Sequence, residues 1–485
     1  MSKEQYPPLT IGWASRDVTP ERPVVLGAQF HMRISEGVDG PVTVNALALS
    51  TGDSPQEAIV FVSCDLGGFR HRWYDQNNFL ELCRQTLRAR APEIDPDTVV
   101  LHATHTHTAP NALVNRYGQE PLPEGVMTAE EYMETLQNGI AEAVTEAWND
   151  RRPGGVSWGL GTAVVGHNRR ATYFEEDADR RPGAVVGGFT RMYGDTNDPS
   201  FSHIEGYEDH YVDLLYTWDA SNELTGVVVN LACPSQETEG AMYISADFWH
   251  EVRQEIRRRH GSHIQILPQC STAGDQSPHR LWYKEAEERM LKLRGITMRE
   301  EIGRRLADAV DEVLPVARTA IETELPFQHL VREIRLPRRM VTDEEAAEVR
   351  EDLKALETDP PEGKSQYRLA QRARRVLQRY EQQEDCPEIP MDLHLVRLGD
   401  MAFATNRFEL FLDYGIRMKA RSPAVQTFLV QLAANEGWPG TYLPSERAIA
   451  NRGYGGGVYD NEVGPEGGRV IVEETIRGLN ELWDR

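Results

Sequence analysis

Several apolar, β-branched runs in this chain stop abruptly against short polar clusters, and that succession limits the fold more than any other feature. Ala58-Ile59-Val60-Phe61-Val62-Ser63 runs into Cys64-Asp65. Thr98-Val99-Val100 runs on through Leu101 into His102-Ala103-Thr104-His105-Thr106-His107-Thr108-Ala109-Pro110. Leu224 to Ala232 ends at Cys233-Pro234-Ser235, and His263 to Leu267 is followed by Cys270-Ser271-Thr272-Ala273-Gly274-Asp275. Short β-branched runs bounded by turn residues read as buried strands. Stretches of helical period separate them, from about Trp73 to Arg90, Asp247 to Arg259 and Tyr283 to Val313. A capping box, Thr128-Ala129-Glu130-Glu131, opens a further helix to about Trp148. Leu393 to Thr405 reads as a hairpin about Gly399-Asp400, Thr427 to Leu432 as a late strand and Val470 to Trp483 as a final helix. This alternation predicts an α/β fold of layered mixed β-sheets flanked by helices.

One segment, 338–390, reads as a helical-hairpin insertion within a single domain of 1–485. The capping box Thr342-Asp343-Glu344-Glu345 starts an acidic helix to about Leu356, and Asp359-Pro360-Pro361-Glu362-Gly363 breaks it. A basic helix follows with Arg368, Arg372, Arg374, Arg375 and Arg379. Opposite charge on the two halves predicts charge pairing from helix to helix. The competing reading of the arginines is an anion or partner site.

The formal charge of −24 disfavours nucleic acid and anionic membrane surfaces as partners. The five cysteines are odd in number and scattered, which is no disulfide framework. Met1-Ser2-Lys3-Glu4-Gln5-Tyr6-Pro7-Pro8 has no apolar core of a signal peptide, and no run approaches the length of a membrane span. The expectation is a cytoplasmic enzyme acting on a small molecule.

Three of the 14 histidines fall within Leu101–Pro110. In α/β proteins ligands gather beyond the carboxyl ends of strands. On extended backbone, His105 and His107 at i, i+2 point to one side and can serve one site. Asp65, Asp247, Asp275 and Glu409 lie near strand ends or short turns and offer carboxylates. Spacing alone does not choose among them, and neither His-Glu-x-x-His nor Cys-x-x-Cys is present. The glycine-rich Gly453-Tyr454-Gly455-Gly456-Gly457 lacks the frame of a phosphate loop and reads as a lid or rim.

Six short motifs, in order, carry a resemblance. They are Asp17-Val18-Thr19-Pro20, Thr104-His105-Thr106-His107, His167-Asn168-Arg169, Ser245-Ala246-Asp247-Phe248, Gly274-Asp275-Gln276-Ser277-Pro278 and Tyr442-Leu443-Pro444. Together they resemble the catalytic domain of the neutral/alkaline, non-lysosomal ceramidase family. The expectation from the resemblance is a catalytic domain alone, without the family's C-terminal immunoglobulin-like domain.

That resemblance implies one Zn2+ held by two histidines, a glutamate and a tyrosine, with His105, Glu409 and Tyr442 at three of those positions. The second histidine position holds Cys233, which is either a thiolate ligand in its place or a buried small hydrophobe. By the same resemblance, His107 and Arg169 are carbonyl and oxyanion partners, and Asp275 and Ser277 match a motif whose serine is a nucleophile candidate. Asp65 and Asp247 would line the site or orient ligands. The implied activity is zinc-dependent hydrolysis of an N-acyl amide. Two alternatives stay open: an enzyme of the same fold acting on a carbohydrate or other small polar molecule, and a binding protein that has lost zinc.

Overall fold

The computed structural model describes residues 6–52, 54–69, 79–112, 117, 121–174, 189–358, 365–435 and 441–484. The expected helix start at Trp73 and the break at 359–363 lie outside these.

An eight-stranded mixed sheet forms the larger layer, in the order Gln265–Cys270, Leu224–Leu231, Tyr211–Asp219, Arg152–Thr162, Thr10–Asp17, Thr43–Ser50, Ala58–Cys64, Val99–Ala103. The edge pairs, Leu224–Leu231 with Gln265–Cys270 and Ala58–Cys64 with Val99–Ala103, are parallel. Alternate residues of Thr43–Ser50 and Ala58–Cys64 face opposite sides. Ala46, Ala48, Val60 and Val62 pack with the helices Phe79–Arg90 and Ala129–Asn149. Leu47, Leu49, Ile59 and Phe61 pack against a second sheet. Both faces are therefore buried, which is why the runs are largely apolar.

That second sheet orders Phe327–Pro337, Glu388–Leu398, Met401–Thr405, Gln426–Val430. The expected hairpin turns at Gly399, whose φ of +62° suits glycine. Its outer face is covered by Leu412–Arg421 and Pro465–Trp483. Helices Phe248–His260 and Met298–Ala317 cover the rest of the large sheet. The layers thus run helix, sheet, sheet, helix, as the α/β reading expected.

The large sheet curls so that its edges approach. Ser63 Oγ donates to Pro268 O at 2.7 Å, and Ser235 Oγ to Thr104 O at 2.8 Å. This closure brings the loops after Val99–Ala103 and Leu224–Leu231 together.

Two local expectations change. The span Tyr283 to Val313 is two helices, Lys284–Arg294 and Met298–Ala317. Gly295 at φ +69° ends the first, and a Thr297–Glu300 capping box starts the second. In the hairpin, the acidic helix Asp343–Thr358 meets the basic helix Gln366–Gln382 through an apolar seam of Ala346, Val349, Ala373 and Val376. Arg374 approaches Glu357 at 3.7 Å on its exposed edge. Arg368, Arg372 and Arg379 instead turn away from the acidic helix, toward Phe30 and the 458–461 loop.

Candidate active site

The strand Val99–Ala103 ends before the histidines, so they do not project from extended backbone as expected. His105 is left-handed, at φ +66°. A non-glycine residue there costs about 1–3 kcal/mol, which the surrounding bonds must offset. The turn still brings the two rings edge to face, with centroids 5.0 Å apart. His102 points into the core, where burial pushes its ring down to about 3.

Hydrogen bonding assigns the tautomers. His105 Nδ1 donates to Gly67 O at 2.6 Å, leaving Nε2 with a lone pair. Arg169, which can only donate, reaches Gln236 Oε1 at 3.1 Å. The Gln236 amide nitrogen therefore faces His107 Nε2, at 2.7 Å, and donates to it. His107 Nδ1 keeps the hydrogen and lies 3.2 Å from Glu239 Oε2. Burial pushes the His107 ring down to about 4, against the pull of Glu239, so it is neutral. Glu239 stays ionised despite its burial, because His107 and His279 hold it near 2.

Lone pairs consequently converge. His105 Nε2 lies 3.3 Å from Glu409 Oε2 and 3.4 Å from His107 Nε2. Acceptors this close need a positive species among them, either a proton on His105 or a cation. Beside Glu409 stands Tyr442, its partner in the short parallel ladder Glu409–Leu410 with Tyr442–Leu443. Tyr442 Oη accepts from Arg169 at 3.0 Å. Arg169, itself buried, also donates to Gly274 O at 2.9 Å. The loop at Gly274 presses so closely on the Glu409 carbonyl that a Cβ there would clash.

The remaining expected residues are placed as follows. Cys233 is fully buried in an apolar cluster with Val165, Ala246 and Phe248, and its thiol donates to Pro234 O at 3.5 Å. Burial pushes that thiol far above its ordinary value. These surroundings match a buried small hydrophobe. Among the described residues, no three His, Cys, Asp or Glu side chains form a metal-binding group. Asp275 accepts from Leu412 N–H at 3.0 Å and Asn168 Nδ2 at 2.8 Å, which ties its loop to two neighbours. Burial pushes its carboxyl up to about 6. Ser277 Oγ meets Tyr193 Oη at 3.1 Å and accepts from His279 N–H at 3.1 Å, an arrangement without a base of the kind a nucleophile uses.

Asp65 and Asp247 act from behind. Asp65 takes a bidentate pair from Arg253 (2.8 and 3.0 Å) and accepts from Thr104 Oγ1 at 3.3 Å, next to His105. Asp247 accepts from the amides of Glu237 (3.1 Å) and Thr238 (2.7 Å), so it sets the loop that carries Gln236 and Glu239. The sequence reading missed Gln236, Glu239 and Tyr193. The same strand-end rule that singled out His105 points to Gln236 and Glu239, since they follow the apolar run that ends at Leu231.

The fold formed by these layers and the curled sheet is similar to that of solved neutral ceramidases. The crystal structure of neutral ceramidase from Pseudomonas aeruginosa matches 97% of this chain and 73% of its own, with TM-score 0.64 and 17% identity. A ceramidase complexed with C2 matches 98% and 75%, with TM-score 0.64 and 16% identity. No family model matches the sequence, and no curated protein does. Among the described residues, no helix is long and apolar enough to cross a membrane.

Proposed function

We propose that this protein is a zinc-dependent hydrolase that cleaves an N-acyl amide. The carrying observation is the meeting of His105 Nε2 with Glu409 Oε2 at 3.3 Å and His107 Nε2 at 3.4 Å, a cluster of acceptors that needs a positive species among them. The donor set fits zinc: an imidazole whose other nitrogen is fixed on a carbonyl, a buried carboxylate and a phenol beside a cation. His105, Glu409 and Tyr442 would hold the ion, and Cys233 would not. When bound, zinc supplies Lewis acidity at neutral pH.

The chain's own groups do the rest. Glu239 holds His107 with Nδ1–H toward its carboxylate, so Nε2 is free to take a proton from water once substrate displaces the Gln236 amide. This makes His107 a base rather than the carbonyl partner that the resemblance implied. Arg169 keeps a fixed guanidinium beside Tyr442, where it can meet negative charge growing on a carbonyl oxygen. The ceramidase likeness favours a lipid amide as substrate.

Gln29, Gln236, Glu239, Tyr193 and His279 give one wall hydrogen-bonding groups, which favours a polar substrate as the second reading. Zinc analysis after supplementation, with a screen of fluorogenic N-acyl amides against glycosides, tests both. Close to one zinc per chain and amide turnover abolished by chelation is expected. Glycoside turnover alone would favour the second reading, and absence of zinc would end both as metal enzymes.

A further inference from the structure

We infer that the basic helix Gln366–Gln382 braces the candidate site, and that Arg372 is the positioning residue that ties two of its walls together. The inference builds on the proposed function only in treating Tyr442 and His107 as working groups.

The first wall is the 27–31 loop. Ser365 N–H donates to Phe30 O at 3.1 Å, and the guanidinium groups of Arg368 and Arg372 lie 4.6 and 5.1 Å from the Phe30 ring centre. Next to Phe30, Gln29 Nε2 donates to Glu239 O at 3.1 Å and to Glu239 Oε2 at 3.3 Å. Glu239 is the carboxylate that faces His107 Nδ1. A path of direct contacts therefore runs from the helix to His107.

The second wall is the 452–461 loop. Arg372 also pairs with Asp460 Oδ1, so the same guanidinium touches both walls. Asp460 Oδ2 accepts from Gly455 N–H at 3.0 Å, and Asp460 O accepts from Tyr442 N–H at 3.1 Å. Gly455, at φ +84°, packs on Phe411 and Tyr442, where a side chain would be strained. Arg379 adds bonds to Asn461 O (2.5 Å) and Val458 O (3.0 Å). The walls meet at Tyr454, whose ring is 6.0 Å from Phe30 and 5.3 Å from Tyr442.

Charge gives Arg372 a second task. Asp460 is buried and close enough to Glu409 to feel its charge. Arg372 is the cation that offsets this carboxylate. Without it, the buried Asp460 carboxylate would sit close to Glu409 without its ion-pair partner.

Hydrogen exchange on the full chain tests the brace, using R372A, R372K and the exposed-edge control R374A. R372A is expected to speed exchange about tenfold or more in both 27–31 and 441–461. R372K keeps a charge for Asp460 but loses the planar face, so it should restore 441–461 and leave 27–31 fast. R374A should match the wild type. Zinc affinity, read by competition with a chelating dye, should weaken about tenfold in R372A. Unchanged exchange in either loop, or a rise spread evenly over the chain, would overturn the brace. A wild-type chain that takes up no zinc would instead sink the proposed function, while the exchange pattern still decides the brace.

Discussion

Glu409 and Tyr442 are register partners in a two-residue parallel ladder, so their side chains leave the same face of one small sheet. The ladder thereby holds Tyr442 beside Glu409, whose Oε2 lies 3.3 Å from His105 Nε2. The ladder makes the phenol and the carboxylate a unit. Tyr442→Phe keeps the ring packing on Phe411 and Tyr454 but removes the oxygen. Zinc affinity should fall at least about tenfold, and Glu409→Gln should cost more. Dye competition on the two variants measures both, and full affinity in Glu409→Gln would contradict the ligand assignment.

Arg169 donates to Gly274 O, Gln236 Oε1 and Tyr442 Oη together, which the planar guanidinium fork allows and an ammonium on a shorter reach does not. Arg169→Lys should lower kcat roughly 100-fold or more, the scale of losing one fixed donor to a developing oxyanion. Zinc content should stay at the wild-type level. Steady-state kinetics beside metal analysis separate the two effects, and equal loss of zinc and rate would assign Arg169 to metal retention instead.

Cys233 packs among Val165, Ala246 and Phe248 with its thiol on Pro234 O. Cys233→Ala should cost about 1 kcal/mol of stability through lost packing, with zinc content unchanged. Cys233→His should destabilise by about 1–3 kcal/mol, because the ring overfills a closed cluster. Urea midpoints and metal analysis check the pair. A rise in zinc affinity with histidine would show that this position reaches the ion after all.

Glu237 carries the pH dependence that is easiest to isolate. Burial, with Asp247 and Glu287 nearby, pushes its carboxyl from 4.5 up to about 8. Its folded value is raised, so its contribution is fully present below about 4.5 and is lost as pH climbs through 8. Glu237→Gln should remove that loss. Its stability advantage over the wild type should grow between pH 5 and pH 8 to about 1 kcal/mol or more, then level off. Urea melts across that range would refute the assignment if the gap were flat.

Much of the layering was legible because strands buried on both faces carry unbroken apolar runs, as Ala58-Ile59-Val60-Phe61-Val62 and Val227-Val228-Val229 do. Caps were equally legible, since Thr128 and Thr342 bond to their own third residues along the helix. The helix break at Gly295 was missed because the charge pattern on either side continues in phase. His105 and His107 were found by density and position, although the turn that joins their rings was not foreseen. Cys233 was ambiguous because a thiol suits both zinc and an apolar core, and only its neighbours choose between them.

The sequence by itself marked several of the strands and helices, among them Ala58–Cys64, Val99–Ala103, Leu224–Leu231 and Ala129–Asn149, and showed that polar groups collect where strands end. Those follow from local periodicity, propensity and capping, which act over a few residues. Tertiary structure decided which strand ends share a site: curling the large sheet brings Thr104 to Ser235, and the short ladder sets Glu409 beside Tyr442. It also turned Arg368, Arg372 and Arg379 of the hairpin from their acidic partner helix toward Phe30 and the 458–461 loop. Such choices depend on contacts between segments well separated in the chain, where packing and the need to pair buried charge outweigh any local preference.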